Sequence, residues 1–320
     1  MSSDEESAAR SPWPHRCAAL TAATTMLLIM VGGLVTNTGS ALAVPDWPTT
    51  FGYNMFTYPW SKMVGGVFYE HTHRLLGSTV GMLTIAMLVA VWRFEQRGWV
   101  RRLGLLALVG VIIQGILGGL RVILLEHDLA IVHGCFAQAF FALTVTLAVV
   151  TSSTWYAAEQ RGVLRDSAGL RGVAILTAVL VYLQLVFGAL LTHTGMLLSA
   201  HILNAGAVLL SAAFVGARVL YQASDRAELR RPAVLLFALL ALQLSLGLGA
   251  YLWHFTRLAE VWPFEAGLAL LAAHRLTGTA VWATSVVLAL RVARASSVHA
   301  PAAHGLGHAL VEAARQHAVS

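Results

Sequence analysis

Four histidines, His73, His133, His201 and His274, fall near the same end of four separate hydrophobic segments. Ionisable side chains at membrane depth are expensive and usually mark a site. Each lies roughly one to two and a half turns into its segment, and the four segments run in one direction. At 1.5 Å per residue, the rings then sit roughly 6–14 Å below the helix ends, at similar depth. Two opposed imidazoles inside a helix bundle suit a haem iron. The chain offers two such pairs, His73 with His133 and His201 with His274. A non-haem metal fits less well, because no cluster of carboxylates and thiolates accompanies them. The plainer reading of each histidine is a hydrogen-bonded packing residue.

Glu70 lies three residues before His73, so both project from one helix face. It is about one turn closer to the helix end and within reach of the edge of a macrocycle ligated by His73. The matching positions before His201 and His274 are Leu198 and Leu271, so the carboxylate occurs in one half only. Two equivalent electron-carrying haems have no need of that asymmetry, whereas a catalyst acting at one porphyrin's edge does. The alternative is an ion pair with Arg74 or Lys62. His71 points about 200° away from His73 and cannot share its ligand face. Arg74 and Arg275 directly follow ligand histidines and are candidates for binding propionates, with lipid headgroups as the competing partner. His15, His127, His193 and His254 read as solvated ends. His299, His304, His308 and His317 read as part of a polar tail.

The elements that must position these residues are membrane-spanning helices. The chain has 320 residues, 58% hydrophobic and 11% charged, the profile of a polytopic membrane protein. Apolar runs long enough to cross a bilayer predict eight helices, over 17–37, 64–92, 103–122, 129–151, 170–192, 196–221, 233–253 and 266–291. The first is too long for a signal peptide's apolar core and lacks a cleavage site, so it reads as retained. The net charge of +6 is a topological signal: 16 of 21 Lys and Arg flank one face of the spans. The positive-inside rule puts that face, and both termini, in the cytoplasm of a plasma (inner) membrane protein, with the histidines towards the outer face. No nucleic-acid partner is implied. Cys17 and Cys135 fall inside helices and read as small apolar packers.

The two halves echo each other. The pattern G-x-x-x-T-x-T-G recurs at Gly32–Gly39 and Gly188–Gly195, 156 residues apart. Gln114, Gln184 and Gln243 each precede a glycine by four residues. His73-Arg74-Leu75-Leu76-Gly77-Ser78 is echoed by His274-Arg275-Leu276-Thr277-Gly278-Thr279. Four helices per half is an even number, so the repeats share one orientation about an axis along the membrane normal. The expected fold is all-α, two tandem four-helix bundles related by a pseudo-two-fold. Its parts are a cytoplasmic segment 1–16, bundles 17–151 and 170–291, a cytoplasmic linker 152–169 and a cytoplasmic tail 292–320. The glycines permit close helix contact or close approach to a flat ligand. The first outer loop, 38–63, is long and aromatic and reads as a lid, a partner surface, or an interfacial loop anchored by Trp47, Tyr58 and Trp60.

The run from Gly33 to Pro48 (G-L-V-T-N-T-G-S-A-L-A-V-P-D-W-P) resembles the first outer loop of haem A synthases. Glu70-His71-Thr72-His73-Arg74 is similar to that family's Glu-x-x-His-Arg. Gln114 to Gly119 and the single histidines of helices 4, 6 and 8 fit as well, so the resemblance covers residues 15–295. It implies oxidation of the C8 methyl of haem O to a formyl group, giving haem A. It also implies substrate haem between His73 and His133, haem b relaying electrons between His201 and His274, and Glu70 assisting the oxidation. A farnesyltransferase that makes haem O and terminal-oxidase assembly factors are the implied partners. Some members carry cysteine pairs in their outer loops, and this chain has none there. A dihaem b-type electron carrier and a parallel-repeat transporter remain the competing classes.

Overall fold

A computed structural model describes residues 11–158, 164 and 167–296. Parts of the expected terminal segments and linker, with Arg10, Arg161, Arg165, Arg315 and the tail histidines, lie outside the described residues. The architecture is all-helical: α1 (Trp13–Asn37), α2 (Gly66–Phe94), α3 (Gly98–Leu124), α4 (His127–Val150), α5 (Ser167–Thr194), α6 (Leu198–Gln222), α7 (Ala227–Phe255) and α8 (Phe264–Ser296). All eight are long and apolar enough to cross a membrane, and the chain is a multi-pass membrane protein. Every expected helix is present. Several run past the apolar stretch into charged residues, because backbone hydrogen bonding continues after hydropathy falls. α7 begins at Ala227 and carries Pro232 near its start, where few intrahelical N–H bonds are lost. α1 begins just after Pro12, with Pro14 in its first turn.

Successive helices reverse direction. Loops 38–65, 125–126, 195–197 and 256–263 therefore gather at one end, the loop end, and the remaining connections at the other, the linker end. The turn between α5 and α6 is only three residues, closed by left-handed Gly195 (φ +71°) and Leu197 (φ +70°). In the N-terminal half α1 packs on α2 and α4, and α3 closes the ring against both. In the C-terminal half α5 packs on α6 and α8, and α7 closes the ring likewise. α8 also contacts α1 and α4, and α4 contacts α5. α8 is the most enclosed helix, with 61% of its apolar window buried against 28% or less elsewhere. It is the seam between the halves.

Seam chemistry follows from the absence of water in a bilayer. Hydroxyls on α8 are satisfied within the helix: Thr279 donates to Arg275 O (3.1 Å) and Ser285 to Val281 O (2.8 Å). Gln138 of α4 donates to Thr279 Oγ1 (3.1 Å) and accepts at its backbone carbonyl from Trp282 Nε1 (2.9 Å). Tyr182 of α5 donates to Cys135 O (3.1 Å). Cys17 and Cys135 are half-buried unpaired thiols. His15 is a correction to the expectation of a solvated end. Its Nδ1 lies 2.8 Å from Ala148 O, tying the start of α1 to the end of α4.

The linker end is clamped by charge. Glu95, at the α2–α3 corner, pairs with Arg97 (2.6 Å) and accepts from Tyr156 Oη (2.9 Å) on the short helix Ser153–Ala157. Arg97 also donates to Val150 O (2.8 Å), and Arg291 of α8 donates to Thr154 Oγ1 (2.6 Å). Burial opposes the Glu95 charge, yet the bonds from Arg97 and Tyr156 bring its carboxyl down to about 2 from an ordinary 4.5. The folded value lies below the unfolded one. The stabilisation is therefore complete above about pH 4.5 and fades as the pH falls towards 2. Glu95→Gln is expected to destabilise the detergent-solubilised protein by roughly 1–2 kcal/mol at pH 7. Thermal unfolding of both forms across pH checks this: the gap between them should close on acidification. A gap that persists at low pH would remove the carboxylate from the clamp.

Candidate functional site: two histidine pairs and a clamped loop

The four histidines stand where helix geometry put them, near the loop end of α2, α4, α6 and α8. They lie 7, 6, 3 and 10 residues inside their helices, or about 5–15 Å. Each imidazole rests against a glycine of the preceding helix. A Cβ built on Gly32 would stand 2.9 Å from His73 Cε1. On Gly118 it would stand 3.2 Å from that of His133, on Gly188 3.3 Å from that of His201, and on Gly247 3.2 Å from that of His274. A methyl group at these sites would push each ring aside. The glycine motifs read in the sequence are therefore histidine seats. The glutamine four residues earlier meets the same histidine. Gln114 Nε2 donates to His133 O (3.0 Å), Gln184 Nε2 to His201 O (3.0 Å), and Gln243 Nε2 lies 3.2 Å from His274 Nδ1. On α1 the corresponding residue is Leu28, so His73 lacks that partner.

His73 and His133 face one another with ring centroids 6.4 Å apart and planes at 72°. Metal–nitrogen bonds of about 2.0 Å, with the nitrogen roughly 1 Å from the ring centre, put two axial imidazoles about 6 Å apart. The pair thus has the spacing of two ligands to one metal. Both Nδ1 atoms are buried on the glycine side of their rings, with no hydrogen-bond partner among the described residues. His201 lies within electrostatic reach of His274 in the other half. Among the described residues no group of three or more His, Cys, Asp or Glu could hold a metal ion by itself.

Glu70 and Arg74 organise the first loop. Glu70 is 6% exposed; its Oε1 accepts from Arg74 (2.9 Å) and its Oε2 from the Val44 amide (3.0 Å). Arg74 also donates to the carbonyls of Asp46 (2.6 Å), Thr49 (2.9 Å) and Val44 (2.9 Å). Both its terminal nitrogens are engaged with the chain itself. His71 turns away from His73, as its position requires; its Nδ1 is 3.1 Å from Thr50 Oγ1 and its ring packs 5.1 Å from that of Tyr58. The loop therefore folds down on α2. Tyr58 is 6% exposed and Trp60 77%, so only the latter is free to anchor at an interface. Trp47 lies on Gly119 of α3, where a Cβ would come within 2.6 Å of its indole. Asp46 caps the turn, accepting from Phe51 N (2.7 Å), Gly52 N (2.9 Å) and Thr49 Oγ1 (2.5 Å). Burial opposes ionisation there, but these bonds bring its carboxyl down to about 2. Arg275 lies at the seam, donating to Gly33 O (3.1 Å) and Thr192 Oγ1 (3.4 Å). His193 and His254 are exposed.

Sequence reasoning missed Arg121. It belongs to the same face of α3 as Gln114 and Gly118. The i, i+4, i+7 spacing was the available signal. The loop clamp yields a direct expectation. Arg74→Gln leaves three loop carbonyls and Glu70 without their shared donor. Limited proteolysis within residues 38–63 should accelerate at least about tenfold, since each bond to a charged group contributes roughly 1.5–3 kcal/mol. An unchanged cleavage rate would show that other contacts hold the loop.

With this geometry in view, residues 15–201, more than half of the chain, match the family model described as cytochrome oxidase assembly protein. The chain is also similar to a Heme A synthase of Shouchella clausii, 30% identical over 182 residues, 56% of this chain and 59% of that protein. It is similar to a Heme A synthase of Methylobacterium radiotolerans, 30% identical over 227 residues, 60% of this chain and 59% of that protein. The matched stretches thus span about three-fifths of these relatives' length. The match holds α1 to α5 and the first two glycine-seated histidines, and it ends on the third, His201; by it the chain belongs to the cytochrome oxidase assembly protein family.

Proposed function

We propose that this protein is a membrane oxidoreductase of the haem A synthase type, oxidising the C8 methyl of haem O to a formyl group. The observation that carries the reading is the seating of all four histidines on glycines, with His73 and His133 face to face and Glu70 three residues before His73 alone. His73 and His133 hold the substrate haem. His201 and His274 hold haem b, which supplies one-electron transfer when bound. The resemblance of the first-loop run and of Glu70 to Arg74, together with relatives named Heme A synthase, supports the assignment. The haem sites face the outer side of the plasma membrane and the termini the cytoplasm. A farnesyltransferase supplies the substrate and terminal-oxidase assembly consumes the product.

Glu70 is the residue assigned to assist the oxidation. Both its oxygens accept hydrogen bonds that fix the carboxylate near the substrate edge, where it assists as a base or by stabilising developing positive charge. Arg275, half-buried and next in sequence to His274, is a candidate for a haem b propionate. The Glu70→Gln variant keeps shape while removing charge. Co-expressed with a haem O source, it should retain haem b but accumulate haem O or a hydroxymethyl form in extracted pigment. A loss of about 3 kcal/mol of transition-state stabilisation slows the step on the order of a hundredfold. Normal haem A yield from the variant would remove Glu70 from the mechanism.

The fourfold histidine seat is nearly symmetric, and this favours one competing reading, a dihaem electron carrier. Wild-type protein that makes no haem A despite adequate haem O would select it. For either reading, His201→Ala or His274→Ala should abolish the low-spin absorption of the C-terminal haem while the chain still inserts. A spectrum unchanged in either variant would rule out that pair.

A further inference from the structure

The N-terminal histidine pair has a cation on its α3 rim that has no counterpart at the equivalent positions of α5 and α7. Arg121 sits in the last turn of α3, at the loop end. Gln114, Gly118 and Arg121 share one helix face, at spacings of four and three residues. Gln114 bonds the His133 carbonyl, and Gly118 seats the His133 ring. Arg121 is thus the next residue outward on the face that meets His133. Seven residues after Gln184 and Gln243, the equivalent positions are Leu191 and Ala250.

Arg121 is half-buried and makes no hydrogen bond or ion pair among the described residues. The nearest acids do not supply one. Glu70 is bound to Arg74 and the Val44 amide, and Glu126 and Asp128 of the adjoining turn are exposed without pairing to it. A half-buried guanidinium at membrane depth is unfavourable without an anion. Its planar fork matches a carboxylate or phosphate. The sequence pointed to Arg74 for this role at the N-terminal site, but Arg74 spends both terminal nitrogens on the loop and Glu70.

We propose that Arg121 binds a carboxylate of the ligand held between His73 and His133, and so orients that ligand in this half alone. The proposal rests on the functional reading above, under which the carboxylate is a porphyrin propionate. A lipid phosphate offers related chemistry, and the test separates the two.

Full-length protein, carrying its C-terminal haem, is placed in lipid nanodiscs and titrated with haem and with haem dimethyl ester. The signal is the part of the absorbance change lost in His73→Ala. Wild type should bind the dicarboxylate about 10- to 100-fold more tightly than the diester. Arg121→Gln should erase that preference by weakening haem alone, and Arg121→Lys should restore part of it. An unchanged C-terminal haem spectrum reports an intact fold. Equal weakening of acid and ester, or no weakening, overturns the proposal. An effect of Arg121→Gln seen only in discs containing anionic lipid also overturns it, because the partner is then a headgroup. If wild type shows no His73-dependent binding of either porphyrin, the functional reading itself fails. That outcome is distinct from a lost acid preference.

Discussion

The contact on which the arrangement depends is an imidazole lying against a helix backbone where no Cβ intervenes. Within lipid, two helices gain nothing from hiding apolar surface from each other, since the acyl chains are equally apolar. What joins them is close packing and the satisfaction of polar groups. Gly32, Gly118, Gly188 and Gly247 let a histidine of the next helix reach the backbone surface, and this fixes the depth and aim of each ring. Glutamines on three of the four odd-numbered helices add a hydrogen bond to the same residue. Helix pairing and the placement of the imidazole are thus one interaction. A ring displaced by an added methyl would move both the imidazole nitrogens and the helix contact.

On this repeated frame the two halves diverge at their loop ends. The α5–α6 turn is three residues and makes no enclosure. The α1–α2 loop is long, and it would be a floppy chain if Arg74 did not gather three of its carbonyls. Glu70 balances that guanidinium and binds a fourth loop group, the Val44 amide. The carboxylate that looked like a lone catalytic acid beside His73 is also half of the loop's anchor. The two roles are compatible. A charge held at a fixed position needs no reorganisation when it acts, and preorganisation is what makes such a charge effective in a dry site. The alternative weighed from sequence, a Glu70–Arg74 ion pair, is present in the structure and sits beneath the loop.

The fold was legible because hydrophobic runs of bilayer length and the even helix count leave few arrangements. The histidines were legible through their common end and repeated neighbours. Less visible was what a motif does once folded. Gln-x-x-x-Gly appeared as an echo, and only packing revealed the glutamine as a histidine partner and the glycine as a seat. Arg74 read as a propionate or headgroup binder, or as a partner of Glu70, and its further acceptors 25 to 30 residues earlier in an irregular loop left no trace in the sequence. Tyr58 looked like an interfacial anchor by composition alone, yet it is buried on His71. His15 looked solvated because it is near the terminus, whereas its acceptor is 133 residues away. The Arg74 and His15 contacts are long-range hydrogen bonds and that of Tyr58 is ring packing, none of which period and composition encode.

The seam helix shows why the halves cannot be treated as independent bundles. α8 carries a histidine of one pair, and the next residue, Arg275, donates to Gly33 of α1. Gly33 neighbours Gly32, the seat of His73. One guanidinium therefore connects the backbone supporting the first pair to the helix bearing the last histidine. Gln138 and Trp282 repeat the link deeper in the bundle, with Gln138 only five residues beyond His133 on α4. A change in helix position at one pair thus has a short, hydrogen-bonded route to the other. These seam contacts are what hold one half in register with the other.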